Sequence, residues 1–95
     1  MDLKDFQKSL DQEIPPQNLA HPLQALWQDA KGEWDLAHKI AQDIHDENGA
    51  WVHAYLHRKE GDESNAAYWY SRAKRKRSNL TLEEEWQEIV RNLLN

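Results

Sequence analysis

The stretch that decides the fold is Gly49 to Ala73, GAWVHAYLHRKEGDESNAAYWYSRA, with Gly61-Asp62 near its centre. Apolar side chains recur at helical spacing before this glycine: Trp51, Val52, Tyr55 and Leu56. A second set follows it: Ala66, Trp69, Tyr70 and Ala73. Glycine adopts the left-handed conformation that ends a helix, and aspartate caps the helix that follows. The stretch therefore predicts a hairpin of two antiparallel helices.

Residues 25 to 44 resemble a weaker copy of this hairpin. The shift that places Gly32 on Gly61 needs no gap, and it aligns two pairs of alanines: Ala25 with Ala54, and Ala37 with Ala66. Small side chains let antiparallel helices approach closely, and a single hairpin cannot bury its apolar face alone. The pattern predicts two stacked hairpins, with amphipathic helices at both ends.

The other helical patterns complete an all-α prediction of about six helices. The first helix is expected near residues 2 to 13, before Pro15-Pro16, and the second from Pro22 to Lys31-Gly32. The third is expected over Glu33 to Asn48, with Asn48-Gly49 as its stop and an apolar face: Leu36, Ala37, Ile40, Ala41 and Ile44. The fourth is expected over Ala50 to Glu60, and Asp62 is expected to cap the fifth.

The last helix has the clearest start signal. Thr81 followed by Glu84 forms a capping box, and the stripe behind it is strongly amphipathic: Leu82, Trp86, Ile89, Val90 and Leu93. Together these segments predict one domain: an N-terminal helix and linker over 1–21, hairpin 1 over 22–48, hairpin 2 over 49–77 and a capping helix over 80–95. The sequence leaves open whether the last helix packs within a monomer or forms a homodimer.

Composition excludes several classes of protein. The chain has 95 residues, a formal net charge of −5 and no cysteine. The negative charge argues against a general nucleic-acid binder, and the absence of cysteine excludes thiolate chemistry. Neither a signal peptide nor a membrane-spanning segment is expected, and a cytoplasmic location is consistent with the missing cysteines. The basic run at the end of hairpin 2 is interpreted mainly as a solvated helix end: Arg72, Lys74, Arg75, Lys76 and Arg77. An anionic partner or nucleic acid is the alternative for this basic patch.

Hairpin 2 resembles a known class of helical repeats. Ala54, Gly61-Asp62, Ala66 and the run Trp69-Tyr70-Ser71-Arg72-Ala73 look like tetratricopeptide and Sel-one-like repeats, and the likeness is best over residues 50 to 75. The chain is also similar to small uncharacterised microbial proteins, a likeness that implies no function. The repeat resemblance implies a short right-handed array that binds a protein or peptide and has no catalytic activity.

The histidines offer the alternative, a metal or small-ligand site on the fourth helix. His53 and His57 have the spacing that places two ligands on one helix face, with Glu60 or a carboxylate of another helix as a third ligand. The competing interpretation makes both histidines solvated on an exposed polar face. His38 and His45 are too far apart for one ion, and they are expected to donate hydrogen bonds to neighbouring helices.

The aromatic residues suggest a surface for a partner. Tyr68 and Arg72 lie one turn apart, off the predicted inner face, and are expected to join His53 and His57 as a partner-binding patch. The alternative is that the terminal helices cover this patch. No catalytic residues and no cofactor are predicted, although a generic acid-base site of His57, Glu60 and Tyr68 is compatible with the sequence. The leading interpretation is a non-catalytic interaction module for a protein or peptide.

Overall fold

The computed structural model describes residues 1–95 and is entirely helical. In chain order its helices are α1 (Leu3–Ser9), α2 (His21–Ala30), α3 (Trp34–Gln42), α4 (Glu47–Glu60), α5 (Glu63–Arg72) and α6 (Leu82–Leu94). The predicted all-α class and the count of six helices are confirmed. None of these helices has both the length and the apolar character that crossing a bilayer would require.

The turns of the two hairpins have the same backbone geometry. Gly32 after α2 and Gly61 after α4 both adopt the left-handed conformation, with φ of 86° and 89°. A 2.9 Å hydrogen bond closes each turn: Glu33 N–H donates to Gln28 O, and Asp62 N–H donates to His57 O. These are equivalent positions in the alignment that places Gly32 on Gly61. The internal copy suggested by the sequence is therefore present in the turns that follow α2 and α4.

The core is organised around α4, which packs against α2, α3, α5 and α6. All of its residues from 49 to 57 are buried, so this helix is enclosed on every side rather than along one stripe. Helix α6 packs against α1, α2 and α4, and the Trp86 indole N–H donates to the Leu26 carbonyl at 3.1 Å. The last helix thus packs within the chain and buries the face that the sequence pattern predicted.

The predicted third helix is too long. Helix α3 ends at Gln42, and the expected stop at Asn48-Gly49 lies in the first turn of α4. Asp46 begins α4, because its carboxylate accepts a hydrogen bond from the Gly49 amide at 2.9 Å. A Cβ at Gly49 would lie 2.5 Å from the Ile44 side chain. Close packing, rather than a helix end, explains this glycine.

Two other helices begin or end at residues different from those predicted. Helix α1 ends at Ser9 instead of near residue 13, and α4 begins at Glu47 instead of Ala50. Leu36, expected on the inner face of α3, is 43 % exposed, since the buried side of that helix carries Ala37 and Ala41.

The caps and faces of the last two helices follow the prediction. Asp62 caps α5 by accepting a hydrogen bond from the Asn65 amide at 3.2 Å. The capping box of α6 is complete, with hydrogen bonds of 3.1 Å to the Thr81 hydroxyl and 3.0 Å to the Glu84 carboxylate. The predicted inner face of α5 consists of Ala66, Trp69, Tyr70 and Ala73. Three of these residues are buried, and Trp69 is half-buried.

Candidate functional site

The three histidines that meet at the interface of α3 and α4 form the most distinctive polar cluster of the molecule. His53 and His57 lie one turn apart on α4, and their rings stack with centroids 4.8 Å apart. His38 reaches them from α3 and stands edge-on to both rings, at 4.6 Å from His53 and 5.0 Å from His57. The packing of α3 against α4 therefore completes a three-histidine cluster whose third member the spacing on α4 did not identify.

The ring nitrogens of this cluster are close enough to share one ion. The Nε2 atoms of His38 and His53 are 3.0 Å apart, and one nitrogen from each of the three rings lies within 4.8 Å of the others. A tetrahedral ion with metal–nitrogen bonds of about 2.0–2.1 Å holds its ligand nitrogens about 3.4 Å apart. Small side-chain rotations would thus convert the cluster into three ligands of a metal ion.

Burial keeps the imidazoles of His38 and His53 uncharged. Burial, followed by the neighbouring His38 and His57, lowers the pKa of His53 to about 4. Burial and then His57 also lower the pKa of His38, although Glu60 and Asp35 act in the opposite direction. At neutral pH the rings of His38 and His53 are therefore neutral, which is the protonation state that binds metal ions.

Glu60 fixes the third ring. The Nδ1 atom of His57 lies 2.6 Å from a Glu60 carboxylate oxygen. An ionised carboxylate only accepts hydrogen bonds, so Nδ1 carries the hydrogen, and in a neutral imidazole this leaves Nε2 as the nitrogen with a lone pair. A carboxylate behind a histidine is the arrangement that orients metal ligands in proteins. Asp62 is also near this pair, but its carboxylate caps α5.

Two tryptophans enclose the cluster. The Trp34 ring stacks on His38 with centroids 5.0 Å apart, and its indole N–H donates to the Leu56 carbonyl at 2.9 Å. The Trp69 ring stacks on His53 at 3.9 Å. These flat contacts shield the imidazoles from water, so an ion held here would be in a site of low dielectric and reported by two nearby fluorophores.

The expectation of an exposed histidine face on α4 is wrong. His53 and His57 are only 5 % and 6 % exposed, because α3 and α5 cover the side of α4 on which they lie. They therefore do not form a surface patch with Tyr68 and Arg72. His38 shares a hydrogen bond with His53 of the neighbouring helix α4, whereas His45 is exposed and makes no side-chain hydrogen bond.

Tyr68 and Arg72 form the exposed part of the predicted patch. Tyr68 is 53 % exposed, so the terminal helices do not cover it. The Arg72 guanidinium lies 5.8 Å from the Tyr68 ring centroid and 5.6 Å from that of Trp69, and it donates to the Tyr68 hydroxyl at 3.3 Å. Arg72 has no carboxylate partner. The Arg72 guanidinium and the rings of Tyr68 and Trp69 thus lie together at one surface of α5.

Two of the five side chains of the basic patch are paired with carboxylates of the chain. Arg77 makes a two-pronged contact with Glu63 at 2.8 Å, and Lys74 pairs with Glu47 at 3.2 Å. Arg75 lies over the Trp51 ring, 3.4 Å from its centroid. Arg72 ends α5, and the other four residues follow it in the loop before α6. This placement agrees with the interpretation of the run as a solvated helix end.

Glu85 is a buried polar residue whose role the sequence did not reveal. It is fully buried and accepts hydrogen bonds from three side chains: Arg58 at 2.9 Å, Tyr70 at 2.6 Å and Trp51 at 3.3 Å. Glu85 lies in the first turn of α6, where a negative charge also interacts favourably with the helix dipole. Only the packing of α6 against α4 shows that it joins three helices.

Comparison of the chain with models of protein families, with curated proteins and with solved structures finds no match. Among the side chains described above, the three-histidine cluster combines ligand spacing, two neutral rings and a carboxylate behind one ligand.

Proposed function

We propose that the protein binds a divalent transition-metal ion of the zinc class through His38, His53 and His57. The observation that carries this proposal is the approach of three ring nitrogens to within 4.8 Å of one another, in a place where burial keeps the rings of His38 and His53 neutral. Three nitrogen ligands, with no thiolate and no carboxylate bound directly to the ion, suit Zn²⁺, Ni²⁺ or Cu²⁺ better than Mg²⁺ or Ca²⁺. Glu60 would hold His57 in the ligating tautomer.

The ion would join the two hairpins. His38 belongs to the first hairpin and the other two ligands belong to the second. Because an unfolded chain does not present this arrangement, binding would stabilise the folded state, by about 2.7 kcal/mol when the free ion is at one hundred times its dissociation constant. In a chain of 95 residues, that stabilisation corresponds to a rise in Tm of about 10–20 °C.

A zinc titration of the chelator-treated protein tests the proposal. Trp fluorescence and Tm should both show a saturable response, and His38→Ala should abolish both responses. The matched control is His45→Ala, which removes an exposed histidine near the same interface and should leave the response intact. A wild-type protein without a saturable response, or a His45→Ala variant as impaired as His38→Ala, would contradict zinc binding at this cluster.

A second function is supported by the surface at Tyr68 and Arg72. We infer that it binds a protein segment that carries a carboxylate beside an aromatic or apolar side chain. Support comes from the 53 % exposure of Tyr68 and from an arginine without a carboxylate partner that lies over two aromatic rings. Tyrosine and arginine are favoured anchors of protein interfaces, and the guanidinium selects carboxylates.

Peptide display tests this second proposal. Selection against the wild-type protein should enrich acidic peptides, and Tyr68→Ala/Arg72→Glu should bind a selected peptide at least tenfold more weakly. Arg91→Glu makes the same charge change on α6 and serves as the control. Enrichment of peptides without acidic residues, or equal binding by the double variant, would refute the assignment.

A further inference from the structure

A small cavity adjoins the surface at Tyr68 and Arg72, where the loop between α3 and α4 meets α5. Its volume is about 200 Å³, and it is more enclosed than the larger clefts of the molecule. Ile44, Ala50 and Trp69 form its apolar walls, and Arg72 lines it as well. Because sites for drug-sized ligands are larger, about 300–1,000 Å³, this cavity suits a single apolar side chain.

The guanidinium of Arg72 has a free edge. Its Nη1 atom donates to the Tyr68 hydroxyl at 3.3 Å, which leaves Nε and Nη2 free to donate. Arg77 shows what this edge does in the same chain, since its Nε and Nη2 atoms each donate to an oxygen of Glu63 at 2.8 Å. Arginine forms such two-pronged contacts because its planar fork matches the two oxygens of a carboxylate. Arg72 therefore has the donors for one more carboxylate.

The acidic side chains of the cavity have other partners. Glu47 pairs with Lys74 at 3.2 Å. Asp46 caps α4 by accepting the Gly49 N–H at 2.9 Å, and the positive pole of that helix offsets its charge. Arg72 is the permanent cation of the cavity, and it has no carboxylate partner in the chain. The cavity thus combines an apolar wall with an unpaired guanidinium.

The carboxylate and the apolar side chain that match this cavity are best supplied by one residue. In an extended peptide, adjacent side chains point to opposite sides, and side chains two residues apart are separated by about 7 Å. The last residue of a chain instead carries a free carboxylate and its side chain on the same Cα atom. Such a residue can contact Arg72 and the walls of a cavity of about 200 Å³ at the same time.

We propose that this cavity binds the C-terminal residue of a partner protein, with its carboxylate on Arg72 and a leucine-sized side chain against Ile44 and Trp69. This binding mode rests on the function proposed for the surface at Tyr68 and Arg72, and it names the part of the partner that this surface takes. Gln42 is exposed at the cavity and supplies a further N–H donor for the carboxylate.

Three N-acetylated pentapeptides test the assignment with chelator-treated protein. The first ends in leucine with a free carboxylate, and the second is its carboxamide. The third is a carboxamide that carries an internal glutamate beside a leucine. In ¹H–¹⁵N NMR spectra the first peptide should shift the Trp69 indole resonance saturably and leave that of Trp86 unchanged. The second and third peptides should each bind at least tenfold more weakly.

The peptides also separate this binding mode from the function on which it rests. Equal binding of the first and third peptides would overturn recognition of a C-terminus but leave an acidic partner segment in place. No saturable shift with either peptide would remove both. Equal binding of the first and second peptides would indicate apolar adsorption only and would overturn the proposal.

Two variants test the two halves of the cavity. Arg72→Gln should weaken binding of the free-carboxylate peptide at least tenfold, whereas Arg91→Gln removes an arginine of α6 outside the cavity and should leave the affinity unchanged. Ile44→Ala enlarges the cavity and should raise the affinity for a peptide that ends in phenylalanine, relative to one that ends in leucine, at least threefold. Wild-type affinity in Arg72→Gln or an unchanged preference in Ile44→Ala would refute this site.

Discussion

The two buried polar clusters that involve α4 differ in how completely their hydrogen bonding is satisfied. Glu85 is surrounded by donors from three side chains, and its negative charge is paired with Arg58 at 2.9 Å. The histidine cluster has two rings that burial keeps neutral, those of His38 and His53, and their Nε2 atoms face each other at 3.0 Å with one hydrogen to share. The first cluster is complete without a ligand, whereas the second retains lone pairs.

Because of this difference, we assign Glu85 a role in folding and the histidine cluster the proposed role in metal binding. A buried carboxylate with all its partners joins helices, and removing it leaves an unpaired cation behind. Neighbouring imidazoles gain their missing partner from a metal ion, which accepts several lone pairs at once. The expectation is that changes at Glu85 act on the unfolding free energy, while changes around the histidines act on metal affinity and on the pH dependence.

The largest effect on stability is expected at Glu85. Glu85→Ala leaves the Arg58 guanidinium, only 11 % exposed, without its carboxylate and should lower the unfolding free energy by about 3–5 kcal/mol. Chemical denaturation measures this loss. Glu83→Ala removes an exposed carboxylate from the same helical turn and should cost less than about 1 kcal/mol. Equal losses in the two variants would show that Glu85 does not join the helices.

The next effect is a loss of stability on acidification. The pKa of His53 is lowered to about 4 in the folded protein, so between its ordinary value of 6.5 and pH 4 the unfolded chain binds more protons than the folded chain. Stability is therefore full above pH 6.5 and falls as the pH is lowered toward 4, by at most about 3 kcal/mol.

Denaturation of the metal-free protein between pH 7 and pH 5 measures the upper part of this window, before most carboxylates titrate. His53→Gln should flatten the curve, although His38 still contributes in the same direction because its pKa is also lowered. A wild-type protein whose stability does not change over this range would mean that His53 is not held neutral by burial.

A smaller effect, confined to metal affinity, is expected at Glu60. Glu60→Gln removes the charge that holds Nδ1–H of His57 and should weaken zinc binding about 10–100-fold, with little change in the stability of the metal-free protein. Isothermal titration with zinc measures the change. Glu33→Gln, at an exposed position before α3, should retain the wild-type affinity. An unchanged affinity in Glu60→Gln would remove this residue from the site.

The smallest effect on stability is expected at the surface of α5. Tyr68→Ala/Arg72→Glu should change the unfolding free energy by less than about 0.5 kcal/mol, because neither side chain belongs to a buried cluster. Thermal and chemical denaturation check this value. A loss comparable to that of Glu85→Ala would show that Tyr68 supports the fold instead of facing a partner.

Local signals predicted most of the fold. The left-handed glycines at 32 and 61, the Asp62 cap and the capping box of α6 each depend on neighbours in the chain, and all appear as expected. Gly49 was misinterpreted because it accommodates close packing against the nearby Ile44 and does not end a helix. A side chain at position 49 would collide with Ile44. The sequence alone does not distinguish a glycine required by close packing from one that ends a helix.

The amino-acid sequence by itself determined the helices, the hairpin turns and the spacing of His53 and His57 on α4, because these follow from backbone conformation and helical periodicity within one segment. Tertiary structure alone decided that His38 is their partner, that all three rings are enclosed by Trp34 and Trp69, and that Glu85 joins three helices. The physical reason is that burial and ligand geometry arise between segments, where the pattern of one helix carries no information about which neighbour covers it.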